Sequence, residues 1–448
     1  MITSTAFSGK RYAVLGLART GMAVVETLLA SGAQVTVWDR REGPRDALAG
    51  RAEIGDPLLI DLAGFDGIVL SPGVPLNTHP IVDRAQAAGV PLIGDIELFA
   101  QARASLPPHR VVGITGTNGK STTTALVRHL LDQAGVPAMM GGNIGLPVLG
   151  QDPLPAGGVY VLELSSYQID LTLSLACDAA GLTNITPDHL DRYDGFDAYA
   201  ASKARLFAMQ EPGQFAVFGC ADASTCAVQA VEAARRAAGR GPCADLAQWA
   251  PMQAQWHSLQ GPHNLQNVGI AAAIVMHLGL SREQVIAGLA SFRGLPHRME
   301  LLGEHDGVLF VNDSKATNPA STAPALAAFP PNPGKRIHWI CGGLPKGDDL
   351  DECAPAFPNV AAAYTIGEAG PLFADILEPL MPVERCEMMC EAVQRAMAAS
   401  RPGDVVLLSP ACASFDQFRD YETRGENFRK LVAQLAGGET VDCEEPAA

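Results

Sequence analysis

The stretch GITGTNGKST, residues 113–122, constrains this chain most, because it stands between an apolar run, RVVGIT, and a segment in which Leu126 and Leu130 recur at helical spacing. Strand, glycine loop and helix in that order aim backbone N–H groups at one point, where phosphate oxygens can sit. Gly116, Thr117, Asn118, Gly119 and Thr122 form the cradle, Lys120 adds a point charge, and Ser121 can ligate the magnesium that accompanies ATP. The usual pattern has glycine where Ile114 stands, and Gly113 comes one residue early, so the loop is a variant.

A chain organised around such a loop is α/β, and 448 residues exceed what one core normally organises. Three domains are expected. The runs RYAVLG, AQVTVWD, DGIVLSPG and VPLIG alternate with amphipathic stretches, which reads as parallel strands with helical crossovers and gives a Rossmann-like N-terminal domain over 1–106. LPPH breaks the pattern. A central P-loop ATPase-like domain follows over 107–297, with helices expected at DAYAASKARLF and HNLQNVGIAAAIVMHLG. Beyond LPHR the alternation restarts in MELLGE, GVLFVND, RIHWICGG, AAYTIGE and DVVLLSP, a second Rossmann-like domain over 298–448.

Charge narrows the partners. A formal charge of -16 opposes binding to nucleic-acid backbones or anionic membranes. No run approaches the roughly 18 apolar residues of a membrane span, so no membrane insertion is expected and the location is cytoplasmic. The ten cysteines include no CxxC pair and are expected to be buried, reduced thiols.

Outside the loop, polar residues gather at strand ends. Glu163 closes the strand in VLELSSYQID, which should run beside the loop strand; it suits magnesium, and it equally suits an ordinary strand-end carboxylate. NITPDHLDRY sets His189 between Asp188 and Asp191 at another strand-to-helix junction, where a metal or phosphate can be held. Lys203, by its pattern alone, is a solvated helix lysine. Asn264 and Asn267 in GPHNLQN can read a base or cap a helix. VNDSKATNP carries Asp313, Lys315, Thr317 and Asn318, GGLPKGDDL carries Lys346, and LLSPACASFDQF carries Ser414 and Phe415; open α/β sheets place ligands at such ends. In GLARTG, Gly16 and Gly21 pair with Asp39, but Ala18 replaces the glycine that admits a pyrophosphate, so the N-terminal pocket reads as one for a nucleotide diphosphate with Arg19 and Thr20 at hand.

Together these motifs (TGTNGKST, GGNIG, LELSSYQ, NITPDHLDRY, GPHN, HRME, VNDSKATN and SPACASFDQF, in that order) resemble those of the Mur ligases of peptidoglycan synthesis. The last two lean toward the branch that adds D-glutamate to UDP-N-acetylmuramoyl-L-alanine. That resemblance implies an ATP-dependent amide ligase working through an acyl phosphate, as a monomer, with closure of its domains over the substrates. It implies that Arg19, Thr20, Asp39, Asn143, Ser165 and Gln168 meet the UDP-linked substrate, and that Lys120, Ser121, Asn267, Arg298, Asp313 and Lys315 meet ATP. It assigns magnesium to Ser121, Glu163, His189 and a carbamylated lysine at Lys203, and D-glutamate to Thr317, Lys346, Ser414, Phe415 and Tyr421. Lys120, His189, Lys203 and Lys315 are then the catalytic set. Sibling ligases, a nicotinamide oxidoreductase built on the N-terminal fold, and an ATP-driven switch are the competing readings.

Overall fold

The apolar runs become strands of three sheets in a computed structural model that describes residues 1–345 and 347–437. The first sheet holds β1 (Arg11–Leu15), β2 (Gln34–Trp38), β3 (Glu53–Ile54), β4 (Gly67–Leu70) and β5 (Leu92–Ile93), all parallel in the order β3-β2-β1-β4-β5. The second holds β6 (His109–Thr115), β7 (Ala138–Gly142), β8 (Gly158–Glu163), β9 (Ala179–Leu182) and β10 (Phe215–Phe218), again parallel, in the order β10-β9-β6-β8-β7. The third holds β11 (Glu300–His305), β12 (Val308–Asn312), β13 (Ile337–Gly342), β14 (Val360–Ile366), β15 (Val383–Glu387) and β16 (Val405–Leu408), in the order β11-β12-β16-β13-β14-β15, with β11 antiparallel at the edge.

Continuous apolar runs are what a parallel sheet covered on both faces requires, and β4, β8, β9, β10, β13 and β16 are buried along their whole length. The chain divides into two compact units, one of Met1–Trp249 with Gln266–Leu289, the other of Ala250–Leu265 with the residues from Ala290 onward. The first unit contains both leading sheets. One apolar core runs through it, joining Phe99 and Val25 of the first sheet's helices to Tyr160 and Val111 of the second sheet. In the second unit two cores cover the opposite faces of the third sheet, one around Trp339 and Phe373, the other around Phe310 and Phe428.

Two expectations change. β3, β7 and β15 were not legible as strands, since they are short or only partly buried and carry little apolar pattern. The cysteines are not uniformly reduced and buried either: Cys220 and Cys243 form a disulfide, and the Cys226 thiol is exposed. A parallel bridge between Phe218 and Cys243 lays the later segment against the end of β10 and brings the two Cα atoms to 5.8 Å. Among the described residues no helix is long and apolar enough to cross a membrane.

Candidate active site

The phosphate loop opens at Gly116, because Gly113 and Ile114 lie inside β6 as buried strand residues. That explains the variant pattern. Gly116 has φ 144° and Gly119 has φ 82°, left-handed values open to glycine. A side chain at Gly116 would strike the Thr183 hydroxyl, and one at Gly119 would strike Asn267 Oδ1, so both positions also need glycine for space. Helix Lys120–Gln133 starts directly behind, with its first-turn N–H groups facing the loop.

The order of the second sheet puts β8 and β9 on either side of β6, and both send polar groups to the loop. On the β9 side, Thr117 N–H donates to the Asn184 carbonyl (2.8 Å) and Asn118 N–H to Asn184 Oδ1 (2.9 Å). The Thr183 hydroxyl and Asn184 Nδ2 return bonds to the Asn118 carbonyl at 2.6 and 3.0 Å. On the β8 side, Glu163 pairs in register with Ile114 and is 2% exposed. Asn143 Nδ2 donates to Glu163 Oε1 at 2.8 Å, while the buried Oε2 has no hydrogen-bond partner among the described residues. A buried carboxylate oxygen without a donor is costly, and a cation offsets that cost. The donor set therefore fits magnesium, with the buried Ser121 hydroxyl on the same loop.

Lys203 belongs to helix Gly195–Ala208 and is 2% exposed, not solvated as its pattern suggests. Its Nζ donates to the Gly116 carbonyl at 2.9 Å and lies 4.4 Å from the centre of the Tyr199 ring. Burial, reinforced by the nearby charge of Lys120, pushes this amine well below the ordinary lysine range, while Asp188 and Asp170 pull the other way. Lys120 Nζ donates to the Thr117 carbonyl at 2.7 Å. His189 is exposed, with a left-handed backbone (φ 54°), and its ring packs 5.1 Å from Tyr167 and 3.4 Å from the Asp188 carboxylate. Among the described residues no three His, Cys, Asp or Glu side chains form a ready metal cluster. Asn264 and Asn267 lie inside helix Pro262–His277 and so do not cap it; Asn267 Oδ1 accepts from the Thr123 hydroxyl at 3.2 Å and lies against Gly119 at the end of the phosphate loop.

The N-terminal pocket is gathered only in part. An open cleft of about 430 Å³ is lined by Gly16, Asp39, Arg40, Arg41, Ser71 and His79 among others. Asp39 accepts from Leu17 N–H at 2.7 Å and from Arg41 Nε at 3.1 Å, and these bonds, Arg41 first, hold its carboxyl far below the usual range. Arg19 instead donates to the Gly145 carbonyl at 2.7 Å, beside Asn143, and Thr20 follows it in the first turn of helix Arg19–Ala30. Ser165 and Gln168 form a capping box at the start of helix Ser166–Asp170, two residues past Glu163.

In the second unit, Asp313 is buried at the end of β12 and accepts from the Ser409 hydroxyl (2.8 Å) and Met299 N–H (3.1 Å). Burial still pushes its carboxyl up to about 7. Lys315 Nζ stands 4.0 Å from the centre of the Tyr421 ring, and Arg298 is half-buried nearby in sequence to Met299. Thr317 is half-buried, Ser414 is 1% exposed and Phe415 is 69% exposed. Lys346 lies outside the described residues.

Sequence reasoning missed Arg424. It is 1% exposed and donates to the Ser314 hydroxyl (3.0 Å) and to the carbonyls of Ser314 (2.8 Å), Cys412 (3.0 Å) and Ala413 (3.0 Å). It thereby ties the Asp313–Lys315 loop to the Ser414 loop. Its signal was an arginine at i before Phe428 and Leu431, on the apolar face of helix Tyr421–Ala436.

Family models match this chain along most of its length. The model described as "Mur ligase MurD-like, N-terminal domain" matches residues 10–94, "Mur ligase middle domain" matches 114–238, and "Mur ligase, glutamate ligase domain" matches 297–412. A protein of Novosphingobium aromaticivorans called UDP-N-acetylmuramoylalanine--D-glutamate ligase is 66% identical, covering 99% of each chain. One of the same name from Zymomonas mobilis subsp. mobilis is 52% identical over 97% of this chain and 100% of its own. Among solved structures, a UDP-N-acetylmuramate-alanine ligase from Thermotoga maritima superposes with TM-score 0.56 at 16% identity, covering 95% of this chain and 99% of its own. A MurF structure from Acinetobacter baumannii does so with TM-score 0.57 at 16% identity, covering 97% and 93%. At that identity they share the fold.

Proposed function

This chain belongs to the Mur ligase family as an ATP-dependent ligase that adds D-glutamate to UDP-N-acetylmuramoyl-L-alanine in peptidoglycan synthesis, and we propose how its own residues carry that reaction. The γ-phosphoryl group of ATP passes to the alanyl carboxylate, giving an acyl phosphate. The amine of D-glutamate attacks its carbonyl carbon, and inorganic phosphate leaves from the tetrahedral intermediate as the amide forms.

Phosphoryl transfer depends on positioning and charge more than on covalent help from the protein. With Thr117 and Asn118 N–H bonded to Asn184, the N–H groups from Gly119 into the first turn of the helix behind it, together with Lys120, hold the phosphates, and Asn267 takes the adenine side. Glu163 Oε2 and the Ser121 hydroxyl would hold magnesium, which when bound supplies charge neutralisation at the phosphates. The observation that carries the reading is the buried Glu163 Oε2, unpartnered among the described residues and in register with the loop strand. Lys203 is assigned as a carbamate: its neutral amine combines with carbon dioxide, releases a proton and becomes an anion suited to a second magnesium with His189. The depressed basicity of Lys203 supports that step.

In the second unit, Thr317, Ser414, Phe415 and Tyr421 are assigned to D-glutamate, with Arg298, Asp313 and Lys315 serving the nucleotide. Arg19, Thr20, Asp39 and Asn143 are assigned to the UDP-linked substrate, and Arg40 and Arg41 add positive charge to the Asp39 cleft. We place the protein in the cytoplasm as a monomer.

The test is phosphate release from ATP with magnesium and UDP-N-acetylmuramoyl-L-alanine, offered D-glutamate, L-glutamate, L-alanine and a diamino acid in turn. Release should require D-glutamate and vanish in Lys120→Ala. Ligation of a different amino acid would move the chain to a sibling activity, and ATP turnover without any acceptor would favour a switch.

A further inference from the structure

The turn after β4 and the segment after β9 follow strands of different sheets, yet a reciprocal pair of hydrogen bonds fastens them to each other. Arg192 Nη2 donates to the Gly73 carbonyl at 3.0 Å, and Asn77 Nδ2 donates to the Asp191 carbonyl at 2.9 Å. Each segment supplies one side-chain donor and one backbone acceptor. Val74, Tyr167 and Arg192 also line one small crevice.

One end of this link is the wall of the Asp39 cleft. Gly73 and Val74 line that cleft where the strand order of the first sheet reverses between β1 and β4, the place at which open α/β sheets hold a ligand. The other end is the His189 turn. Arg192 N–H donates to the His189 carbonyl at 3.0 Å, and the guanidinium carbon lies 4.9 Å from the centre of the Tyr167 ring, which itself packs 5.1 Å from the His189 ring. The left-handed backbone of His189 persists only where its surroundings hold it.

Charge does not account for the arginine, since its Asp191 partner is exposed and 4.0 Å away, an arrangement that contributes little. Nor does the cleft wall need the link to form. Ser71 N–H donates to the Leu15 carbonyl (3.1 Å), Val74 N–H to the Ser71 carbonyl (3.0 Å) and the Ser71 hydroxyl to the Gly16 carbonyl (3.2 Å). What Arg192 and Asn77 add is a fixed spacing between that wall and the His189 turn.

We propose that Arg192, with Asn77 as the opposing donor, is a positioning residue that holds the nucleotide cleft in register with the His189 turn, so that both ends of the UDP-linked substrate are met at once. This inference rests on the assignment of the Asp39 cleft to that substrate and of His189 to the catalytic set. In this role Arg192 serves only a ligand long enough to span both ends; UDP by itself is indifferent to it.

Calorimetry and steady-state kinetics on the full chain test the link. Arg192→Ala should lower kcat/KM for UDP-N-acetylmuramoyl-L-alanine about tenfold, with Kd for UDP alone and KM for ATP within about twofold, in a protein shown to be folded by its thermal transition. Asn77→Ala should act in the same direction, and the double variant should be no worse than Arg192→Ala, because either loss opens the same link. Should Arg192→Ala not fold, Asn77→Ala, whose side chain is exposed, is read in the same way. An unchanged kcat/KM, an equal loss for UDP or ATP, or additive losses in the double variant overturns the proposal. Asp39→Ala and His189→Ala distinguish the failures: unchanged UDP binding in the first, or unchanged turnover in the second, removes the assignment of that end. Losses in both with a silent Arg192 variant remove Arg192 alone.

Discussion

Lys203 Nζ donates a hydrogen bond to the carbonyl of Gly116 at 2.9 Å, tying a buried amine to the first residue of the phosphate loop. An uncompensated ammonium in that position is disfavoured, and the amine is accordingly far less basic than an exposed lysine. A carbamate would exchange that awkward cation for an anion. Lys203→Ala is expected to lose activity by on the order of 100-fold and to regain part of it in added formate or acetate. Carbon-13 bicarbonate should also give the parent protein a carbamate NMR signal absent from the variant. Full activity of Lys203→Ala without additive would reject the carbamate.

Gly119 meets Asn267 across the loop, where a Cβ has no room. Gly119→Ala should weaken ATP binding by at least about tenfold in calorimetry. The left-handed backbone alone costs about 1–2 kcal/mol of stability. Gly157→Ala is the control, because Gly157 has φ 86° with nothing within 4 Å of the added carbon. It should lose similar stability and bind ATP normally. Equal loss of ATP affinity in both variants would mean that strain, not the collision, is responsible.

The phosphate loop and Glu163 were legible because each lies in a continuous segment and because parallel strands repeat their ends on one sheet edge. The three-sheet architecture was legible for the same reason. Lys203 was not: its burial depends on how helix Gly195–Ala208 docks, and the apolar positions Tyr199, Leu206 and Phe207 do not reveal which polar neighbour faces inward. Arg424 hid likewise, since its partners are carbonyls of loops far away in sequence. Asn267 approaches Gly119 from a distant helix, so sequence could not choose between reading a base and capping. The Cys220–Cys243 bond depended on a strand-edge segment, residues 240–244, that carries no strand pattern of its own.

Asp313 sets a pH dependence on stability. Its folded carboxyl is raised from 3.8 to about 7, first by burial, against the pull of Ser409, Met299 N–H and Arg298. The sign follows from proton uptake: the folded state holds the proton more tightly, so this contribution is full below about pH 4 and is lost as pH rises through 7. Asp313→Asn removes the titration. Relative to the parent, the variant should gain on the order of 2–4 kcal/mol between pH 4 and pH 8 in denaturant unfolding without nucleotide. A stability difference independent of pH would contradict the buried carboxyl.

The Cys220–Cys243 disulfide spans 23 residues of sequence, a loop whose closure contributes about 3 kcal/mol by chain entropy. Treatment with a dithiol should lower the unfolding free energy of the parent by about that amount more than that of a Cys220→Ser, Cys243→Ser double variant. Equal shifts in both proteins would place the effect elsewhere.

The acyl phosphate itself is open to one direct observation. UDP-N-acetylmuramoyl-L-alanine carrying oxygen-18 in its alanyl carboxylate is incubated with ATP, magnesium, D-glutamate and the enzyme, and both products are weighed by mass spectrometry. Transfer of the γ-phosphoryl group to that carboxylate predicts one oxygen-18 atom in the inorganic phosphate and a UDP product heavier by one glutamyl residue. Unlabelled phosphate alongside the amide would contradict activation through an acyl phosphate.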